Sequence, residues 1–333
     1  MRGTVVSRSR LLTIVVVTLL ALTACGTPPR GESPVSGEQV TVRTEKGEVT
    51  VPVTDTGIWA LDYQTALNLL ALGVVPEYAG RYDHDPDPFV SAAYTILREA
   101  GVELVEPGRA ELIAAAEPEL IVGMPLGGNE QIIPRLPDLA PVVILPALPV
   151  LEDDLRTLGA VTGHQREATE LTARLDAALE ELAAKIAASE FSGASVSVLS
   201  ACGLDAFCVY GNARGFGPVL DDLGLRRPVS QAQEGNEWGY RLVSPENLQD
   251  QTADVVVTFT GSVAFGAPSA FDNSLFDTAG ATKGEADFSA WFGVGPLNHL
   301  WVLRDLDALF FGEHAVTREE DAAELWSEVV GRP

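Results

Sequence analysis

The sequence predicts an α/β protein of two lobes, each built on a mainly parallel sheet with helices on both faces, and joined by one long helix. From about residue 40, short apolar runs alternate with amphipathic helical segments, which is typical of a parallel sheet covered by helices. An uninterrupted helical pattern then occupies residues 164–190, and the alternation begins again after it. A chain of 333 residues is long enough for two domains of ordinary size.

The first lobe, residues 40–163, is predicted to begin with a β-hairpin that turns at Lys46-Gly47, because apolar and polar residues alternate on both sides of that turn. Strands and helices then follow in alternation. The predicted strands are residues 57–62, 74–80, 102–106, 119–123 and 141–145, and the predicted helices are residues 63–73, 88–101, 110–116, 130–136 and 151–163.

The connecting helix is predicted from the spacing of its apolar residues. Leu171, Leu175, Leu179, Leu182 and Ile186 recur at intervals of three and four residues and therefore form one stripe along the helix. At a rise of 1.5 Å per residue the predicted helix is about 39 Å long, the span of a small domain. A helix of this length at the middle of the chain is interpreted as the link between the lobes.

The second lobe, residues 191–333, repeats the alternation of the first. Its predicted strands are residues 194–200 and 254–259, and its predicted helices are residues 216–224, 246–251 and 297–312. The pattern predicts a second α/β sheet of the same type.

One short pattern occurs once in each lobe. Glu111 and Glu246 each begin a helix-like stretch, and eight residues later an acid, Glu119 or Asp254, directly precedes an apolar β-type run. The repetition predicts a pseudo-symmetric helix–turn–strand unit in matching places of the two lobes.

The N-terminus has the layout of a secretory signal peptide. Three arginines precede the apolar run 11–22, which is shorter than the roughly 20 residues needed to cross a bilayer. The following Leu-Thr-Ala-Cys resembles a bacterial lipobox, so residues 1–24 are predicted to be removed and Cys25 to be lipidated. Residues 25–39 are rich in Pro, Gly and Ser and predict a flexible tether. The alternative is an ordinary signal peptide with an incidental cysteine.

The charge of the chain disfavours one class of partner. The formal net charge is −25, from 22 basic and 47 acidic residues. Nucleic-acid binding depends on neutralising phosphates with Lys and Arg, so nucleic acid is excluded as the expected partner.

Two cysteines remain after Cys25, at positions 202 and 208. Outside the cytoplasm, Cys202 and Cys208 are expected to form a disulfide across a short loop. Two buried thiols are the alternative.

Together the quoted pieces resemble the substrate-binding lipoproteins of ABC importers for ferric siderophores, haem and cobalamin. The resemblance covers the lipobox, the hairpin, "EPELIVG", the central helix and "LVSPENLQDQTADVVV". It implies two Rossmann-like lobes with a ligand cleft between them, no catalysis, and no cofactor apart from iron inside a bound siderophore. It also implies a monomer on the extracytoplasmic face of the cell membrane, held by the lipid on Cys25, with an ABC permease dimer and its cytoplasmic ATPase as partners.

In this family one surface glutamate of each lobe docks onto arginines of the permease. Glu111 and Glu246 match these positions, which would explain why the pattern is written twice. The local alternative is that each glutamate interacts favourably with the positive end of its own helix, an effect of roughly 0.3–1 kcal/mol.

The resemblance places the ligand in the cleft, among loops that leave the carboxyl ends of the strands. The candidate ligand-binding residues are Tyr63, Arg81, Tyr82 and Met124 in the first lobe and Arg214, Trp238, Tyr240 and Trp291 in the second. Arg81 and Trp238 match residues of the hydroxamate-siderophore branch, where a planar guanidinium faces the iron-bound oxygens. The alternative for Arg81 is a solvated ion pair with Asp83 or Asp85.

A hydroxamate ligand is favoured over a catecholate one, because catecholate complexes carry more negative charge and the cleft loops offer few cations. Haem and cobalamin remain open as ligands of the same architecture. A receptor for a free metal ion would need several His or carboxylate ligands, and of His84, His164, His299 and His314 only His84 lies in an expected cleft loop. The sequence contains neither a dinucleotide or phosphate loop nor a nucleophile elbow, so an enzyme is not expected. A surface lipoprotein without a transport role is the remaining alternative.

Overall fold

Two five-stranded sheets organise the chain, and the predicted α/β fold class is confirmed. The computed structural model describes residues 37–331 except for positions 45, 83–86, 149, 204–205, 214, 233–234, 237–238 and 261–268. The predicted signal peptide, the lipidation site Cys25 and most of the tether lie outside the described residues.

The predicted hairpin is present at the start of the first lobe. β1 (Gln39–Thr44) pairs antiparallel with β2 (Gly47–Pro52). The hairpin packs beside the first sheet, where Val53 and Thr54 continue β2 and the Thr54 amide donates to the carbonyl of Val161 at 3.0 Å.

The first sheet consists of five parallel strands in the order β5-β4-β3-β6-β7. Its strands are β3 (Ile58–Ala60), β4 (Tyr78–Gly80), β5 (Glu103–Val105), β6 (Leu120–Gly123) and β7 (Val142–Ile144). Its helices are α1 (Tyr63–Ala71), α2 (Pro88–Glu99), α3 (Ala110–Ala116) and α4 (Leu151–Thr162), with a 3-10 helix at Ile133–Asp138 where a helix over residues 130–136 was predicted. The order is that of a Rossmann half, in which ligands bind outside the carboxyl ends of the strands.

A 23-residue helix, α5 (Gln165–Ala187), follows and leads to the second lobe. Gly163, in the left-handed conformation at φ 78°, ends α4 and allows the chain to turn into α5. The buried residues of α5 include Leu171, Leu175 and Leu182, which belong to the predicted stripe. At 1.5 Å per residue α5 is about 35 Å long.

The second sheet has the order β10-β9-β8-β11-β12. Its strands are β8 (Val196–Ala201), β9 (Phe207–Tyr210), β10 (Tyr240–Val243), β11 (Val255–Thr260) and β12 (Thr282–Asp287). β8, β11 and β12 are parallel, β9 pairs antiparallel with β8, and β10 pairs antiparallel with β9. Its helices are α6 (Phe216–Asp222), α7 (Phe288–Phe292), α8 (Pro296–Phe311) and α9 (Ala322–Val329), with 3-10 helices at Pro245–Gln251, Ala270–Asp272 and Glu319–Asp321. None of the helices in the described part of the chain is long and apolar enough to cross a membrane.

The repeated sequence pattern corresponds to a repeated structure. Glu119, directly before β6, accepts a hydrogen bond from Thr54 at 2.9 Å. Asp254, directly before β11, accepts one from the Ser195 amide at 2.7 Å. The hydrogen bonds from Ser195 hold the pKa of Asp254 below its usual value. β6 and β11 thus occupy equivalent positions in the two sheets.

The lobes share one continuous hydrophobic core. A single cluster of buried side chains extends from the hairpin and first lobe through α5 to α8 and α9. Phe89 of α2 meets Trp301 of α8 edge to face, with ring centroids 5.3 Å apart. The lobes are therefore joined by packing as well as by the connecting helix.

Candidate ligand-binding face

At the carboxyl edge of the first sheet, Asp62 joins the ends of β3 and β6. Its buried carboxylate caps α1 through the Thr65 amide at 2.8 Å and accepts the Met124 amide at 2.8 Å. Burial raises the pKa of Asp62, although these hydrogen bonds act to lower it. The residue holds two strand ends in a fixed position and has no free face for a ligand.

A cluster of three tyrosines supports the end of β4. The rings of Tyr82 and Tyr94 lie 5.0 and 5.7 Å from the ring of Tyr63, each edge to face, and the Tyr94 hydroxyl accepts the Tyr82 amide at 2.7 Å. Tyr82 is half-buried, and its ring fills the space in which a Cβ at Gly127 would lie, only 2.8 Å away. The cluster fixes the backbone that carries Arg81.

Two predicted ligand residues of the first lobe are instead part of this support. Tyr63 is fully buried in the first turn of α1, and Met124 is fully buried after β6. The carbonyls of Met124 and Leu61 accept hydrogen bonds from Asn129 at 3.0 and 3.2 Å, which folds the loop onto the sheet. The expectation that Tyr63 and Met124 line the pocket is therefore corrected: their side chains face the core.

Arg81 keeps its guanidinium at the surface of the cleft edge. Its side chain is 39% exposed, and its contacts are to Glu106 at 3.5 Å and to the Tyr82 carbonyl at 3.4 Å. Among the described residues, these two long contacts engage only part of the guanidinium. The alternative partners Asp83 and Asp85, and the candidate metal ligand His84, lie outside the described residues.

The second lobe contains an aromatic layer that extends from the middle of its sheet to the carboxyl ends of β11 and β12. Tyr210 is buried at the centre, with Tyr240, Phe259 and Phe292 around it at centroid distances of 6.1, 5.1 and 6.1 Å. Tyr240 and Phe292 are half-buried, as is Phe288, which stacks on Phe292 at 4.7 Å. We call Arg81, Tyr82, Tyr240, Phe288 and Phe292 the ligand face.

Phe288 and Phe292 were not singled out from the sequence, which instead drew attention to Trp291. Their signal is the spacing of four residues in a short helix capped by Asp287, whose side chain accepts the Ala290 amide at 2.9 Å. Residues four apart share one face of a helix.

Trp291 is corrected from pocket to core. It is fully buried, and its indole donates to Asp305 at 2.7 Å. Asp305 also accepts the Thr317 amide at 2.6 Å, and burial raises its pKa to about 6. This network ties α7 to α8 and to the segment that precedes α9.

The ligand face borders the point at which the lobes meet. Asp287 caps α7 and also accepts the Phe89 amide of the first lobe at 3.2 Å. Burial, followed by the charge of Asp87, raises the pKa of Asp287 to about 7. Arg81 and Tyr82 precede this contact in the first lobe, and Phe288 follows it directly in the second.

Cys202 and Cys208 are joined by a disulfide, with their Cα atoms 5.6 Å apart. The bridge links the residue after β8 to the second residue of β9. It therefore lies at the carboxyl end of β8. The predicted ligand residues Arg214 and Trp238 lie outside the described residues.

Glu111 and Glu246 occupy equivalent, exposed positions. Each lies in the first turn of the helix that leads to β6 or β11. The backbone amide of Glu246 itself, and then the Ser244 hydroxyl, lower the pKa of the Glu246 carboxyl. The Ser244 side chain makes no capping hydrogen bond to this helix, and its hydroxyl contacts Glu246 and Asn247.

Within the described ranges, no group of three His, Cys, Asp or Glu side chains is placed to hold a metal ion. His164 contacts the Thr162 carbonyl, His299 is packed against α5, and His314 contacts Asp307 at 3.0 Å. These three histidines are held separately.

Comparison with known proteins identifies the fold. A family model described as "Periplasmic binding protein" matches residues 58–274, about two thirds of the chain. Comparison with curated protein sequences finds no match.

Three solved structures illustrate the similarity in fold. The FhuD protein from S. pseudintermedius has a TM-score of 0.65 at 18% identity, covering 82% of this chain and 98% of its own. FhuD2 from Staphylococcus aureus with bound ferrioxamine B has a TM-score of 0.59 at 17% identity, with coverages of 81% and 98%. The periplasmic catecholate-siderophore binding protein VctP from Vibrio cholerae has a TM-score of 0.60 at 15% identity, with coverages of 88% and 100%.

Proposed function

The chain belongs to the periplasmic binding protein family, and from this premise we propose that it captures a ferric siderophore, preferably of the hydroxamate type, and delivers it to an ABC permease. Proteins of this family bind a transported substrate outside the cytoplasm without converting it, so the chain is not an enzyme. The similar structures include one with bound ferrioxamine B and one described as a catecholate-siderophore binding protein, so the preference depends on the chemistry of the ligand face.

Two observations carry the proposal: a half-exposed arginine directly after β4 of the first lobe, and a half-buried aromatic layer in the second lobe. Arg81 offers planar donors for the iron-bound oxygens of a ferric hydroxamate. Tyr240, Phe288 and Phe292 offer apolar surface for the aliphatic part of the ligand. A ferric trihydroxamate is neutral or cationic, and its capture by a chain of net charge −25 has no large repulsion to overcome.

A titration of residues 26–333, followed by tryptophan fluorescence, tests this function. The panel is ferrioxamine, ferrichrome, a ferric catecholate, haem, cobalamin and zinc. We expect submicromolar binding of a trihydroxamate. Arg81→Ala should weaken it by about tenfold to a hundredfold, since a hydrogen bond to a charged group contributes about 1.5–3 kcal/mol.

The matched control is Arg135→Ala, which removes an exposed arginine of the first lobe outside the ligand face. Phe288→Leu with Phe292→Leu should weaken binding while keeping apolar bulk. A response to haem, cobalamin or zinc alone would replace the proposed ligand within the same family. A lack of response to the whole panel would favour a surface lipoprotein without a transport role.

We further propose that the protein works as a monomer anchored to the extracytoplasmic face of the cell membrane through lipid on Cys25. The support is the order of features in the sequence: an arginine-flanked apolar run, Leu-Thr-Ala-Cys, and a polar tether. Cys25→Ser should shift the protein from the membrane fraction to the soluble fraction. Retention of Cys25→Ser in the membrane after detergent-free washing would contradict anchoring through this residue.

A further inference from the structure

A groove of about 200 Å³ lies beside Glu111, between α3 and the 3-10 helix at Ile133–Asp138. Its apolar wall consists of Ala110 and Ala114 from α3 and of Leu139, which directly follows the 3-10 helix and is 36% exposed. The groove is smaller than the roughly 300–1,000 Å³ of small-molecule sites, and its volume equals that of about seven waters at about 30 Å³ each. It therefore suits one apolar side chain of a protein partner better than a free ligand.

The rim of the groove carries exposed charges. Glu111 and Asp138 supply two carboxylates, and Arg135 supplies one guanidinium. None of the three makes an ion pair with a described residue. Because the net charge of the rim is negative, the groove favours a partner that presents a cation beside its apolar side chain.

The second lobe repeats this arrangement around Glu246. Glu246 and Gln249 lie three residues apart in a 3-10 helix, in which such residues share one face. Gln249 Nε2 donates to the Asp277 carbonyl at 3.3 Å, and the Asp277 amide donates to Gln249 Oε1 at 3.1 Å. Leu275, two residues before Asp277, is 53% exposed. The two hydrogen bonds therefore hold an exposed leucine beside the helix that bears Glu246.

The two leucines occupy equivalent connections of the two sheets. Leu139 lies between β6 and β7, and Leu275 lies between β11 and β12. β6 and β11 are the fourth strands of their sheets, and β7 and β12 are the fifth. Single exposed leucines are ordinary on a protein surface. The recurrence of a glutamate-bearing helix beside an exposed leucine, at the same place in both lobes, indicates a shared role.

We propose that Leu139 and Leu275 are docking residues, each of which packs against an apolar side chain of the permease next to the cation that pairs with Glu111 or Glu246. This inference rests on the proposed delivery to a permease and names the chemistry of the contact. A permease with two-fold symmetry presents the same surface to both lobes, which matches the repetition of carboxylate and leucine. The charge pairs guide the encounter, and the covered leucines slow dissociation.

Uptake of the labelled ferric siderophore by cells that carry Leu139→Asp tests the contact in the first lobe. We expect import at limiting siderophore to fall by about tenfold, since the leucine side chain is then no longer buried at the interface. Leu139→Met keeps the apolar volume and should import within about twofold of the native chain. Ala114→Phe fills the groove from an exposed position of α3 and should also impair import.

Leu275→Asp and Leu275→Met should behave in the same way in the second lobe. The matched control is Val75→Asp, since Val75 is 46% exposed and precedes β4, at the end of the first sheet opposite to Glu111. The control should import normally. Siderophore affinity should be unchanged in all of these variants, because none of them alters the ligand face.

The outcomes separate this inference from the proposed function. If Leu139→Asp or Leu275→Asp imports normally while Glu111→Lys with Glu246→Lys abolishes import, the leucine contacts are overturned and docking through the glutamates stands. Equal losses in Val75→Asp and Leu139→Asp would also overturn the leucine contacts, because any added surface charge would then impair import. A leucine variant that changes the oligomeric mass of the chain and leaves import intact would assign its surface to contact between copies. Absence of siderophore binding by the unsubstituted chain would overturn the proposed function itself.

Discussion

Reversing the charges of Glu111 and Glu246 together should abolish import while leaving ligand affinity unchanged. Both carboxylates are exposed at equivalent positions of two lobes that share one packed core, so their separation is fixed. A permease with two-fold symmetry can present a cation to each. If each contact contributes about 1.5–3 kcal/mol, losing both weakens docking by at least about a hundredfold.

The measurement is uptake of the labelled ferric siderophore by cells that carry Glu111→Lys with Glu246→Lys, together with the affinity of the isolated protein. The control is Glu99→Lys with Glu320→Lys, which makes the same change in net charge at one exposed site in each lobe. The control should import normally. Normal import by the Glu111/Glu246 pair, or loss of its ligand affinity, would show that these residues do not serve docking.

The local role of Glu246 can be separated from docking by stability. Its own backbone amide holds the pKa of Glu246 down, and its carboxylate in the first turn also interacts favourably with its own helix. That effect would appear in the unfolding free energy of the single variant and would not require Glu111. If import is lost only when both substitutions are present, and the unfolding free energy does not fall correspondingly, the two glutamates serve docking to the permease.

The parts of the fold predicted from the sequence are those in which apolar pattern and burial coincide. β6 and residues 255–259 of β11 are buried, and both strands begin with a run of three apolar residues. β12 was missed because Thr282–Asp287 is an edge strand with alternating exposure and few apolar residues. β9 was missed because it lies directly after the loop closed by the disulfide and was interpreted as part of that loop.

The ligand residues were predicted with less success because residue type does not determine the direction of a side chain. Trp291, Tyr63 and Met124 stand at the expected ends of strands or in a cleft segment, yet each faces the core. Phe288 and Phe292 lie in the same segment as Trp291 and face outward. Whether one of these side chains faces the core or the surface depends on its position around the helix at residues 288–292. A segment of five residues is too short to predict as a helix.

The free energy of unfolding should fall as the pH rises from 6.5 to 8. A protein stabilised by ion pairs through its carboxylates would not show this fall. Asp154 in the first turn of α4 is buried, and its Oδ2 makes no hydrogen bond to a described residue. Burial raises its pKa to about 8, with smaller contributions from the charges of Asp62 and Asp153. Asp287 at the lobe junction has a pKa of about 7.

The sign follows from proton binding. An aspartate in an unfolded chain has a pKa of about 3.9. Between that value and the raised folded pKa, the folded protein binds a proton that the unfolded chain does not, so the free energy of unfolding falls as pH rises through this window. Each such group contributes about 1.4 kcal/mol per pH unit, which gives a fall of about 2–3 kcal/mol between pH 6.5 and 8. His299 acts in the opposite sense only at lower pH, because burial lowers its pKa from an ordinary value of about 6.5.

Denaturant unfolding at pH 6.5 and pH 8 measures the effect, and Asp154→Asn identifies its main source. The variant should lose about 2 kcal/mol of the pH dependence and be more stable than the native chain at pH 8, because it no longer buries a charge there. Glu152→Gln is the matched control on the same turn, since Glu152 is 70% exposed and paired with Arg156. If the pH slope of Asp154→Asn is unchanged, the Asp154 carboxylate is already ionised in the folded protein at pH 6.5. Water would then reach this side chain, contrary to its burial in the structure.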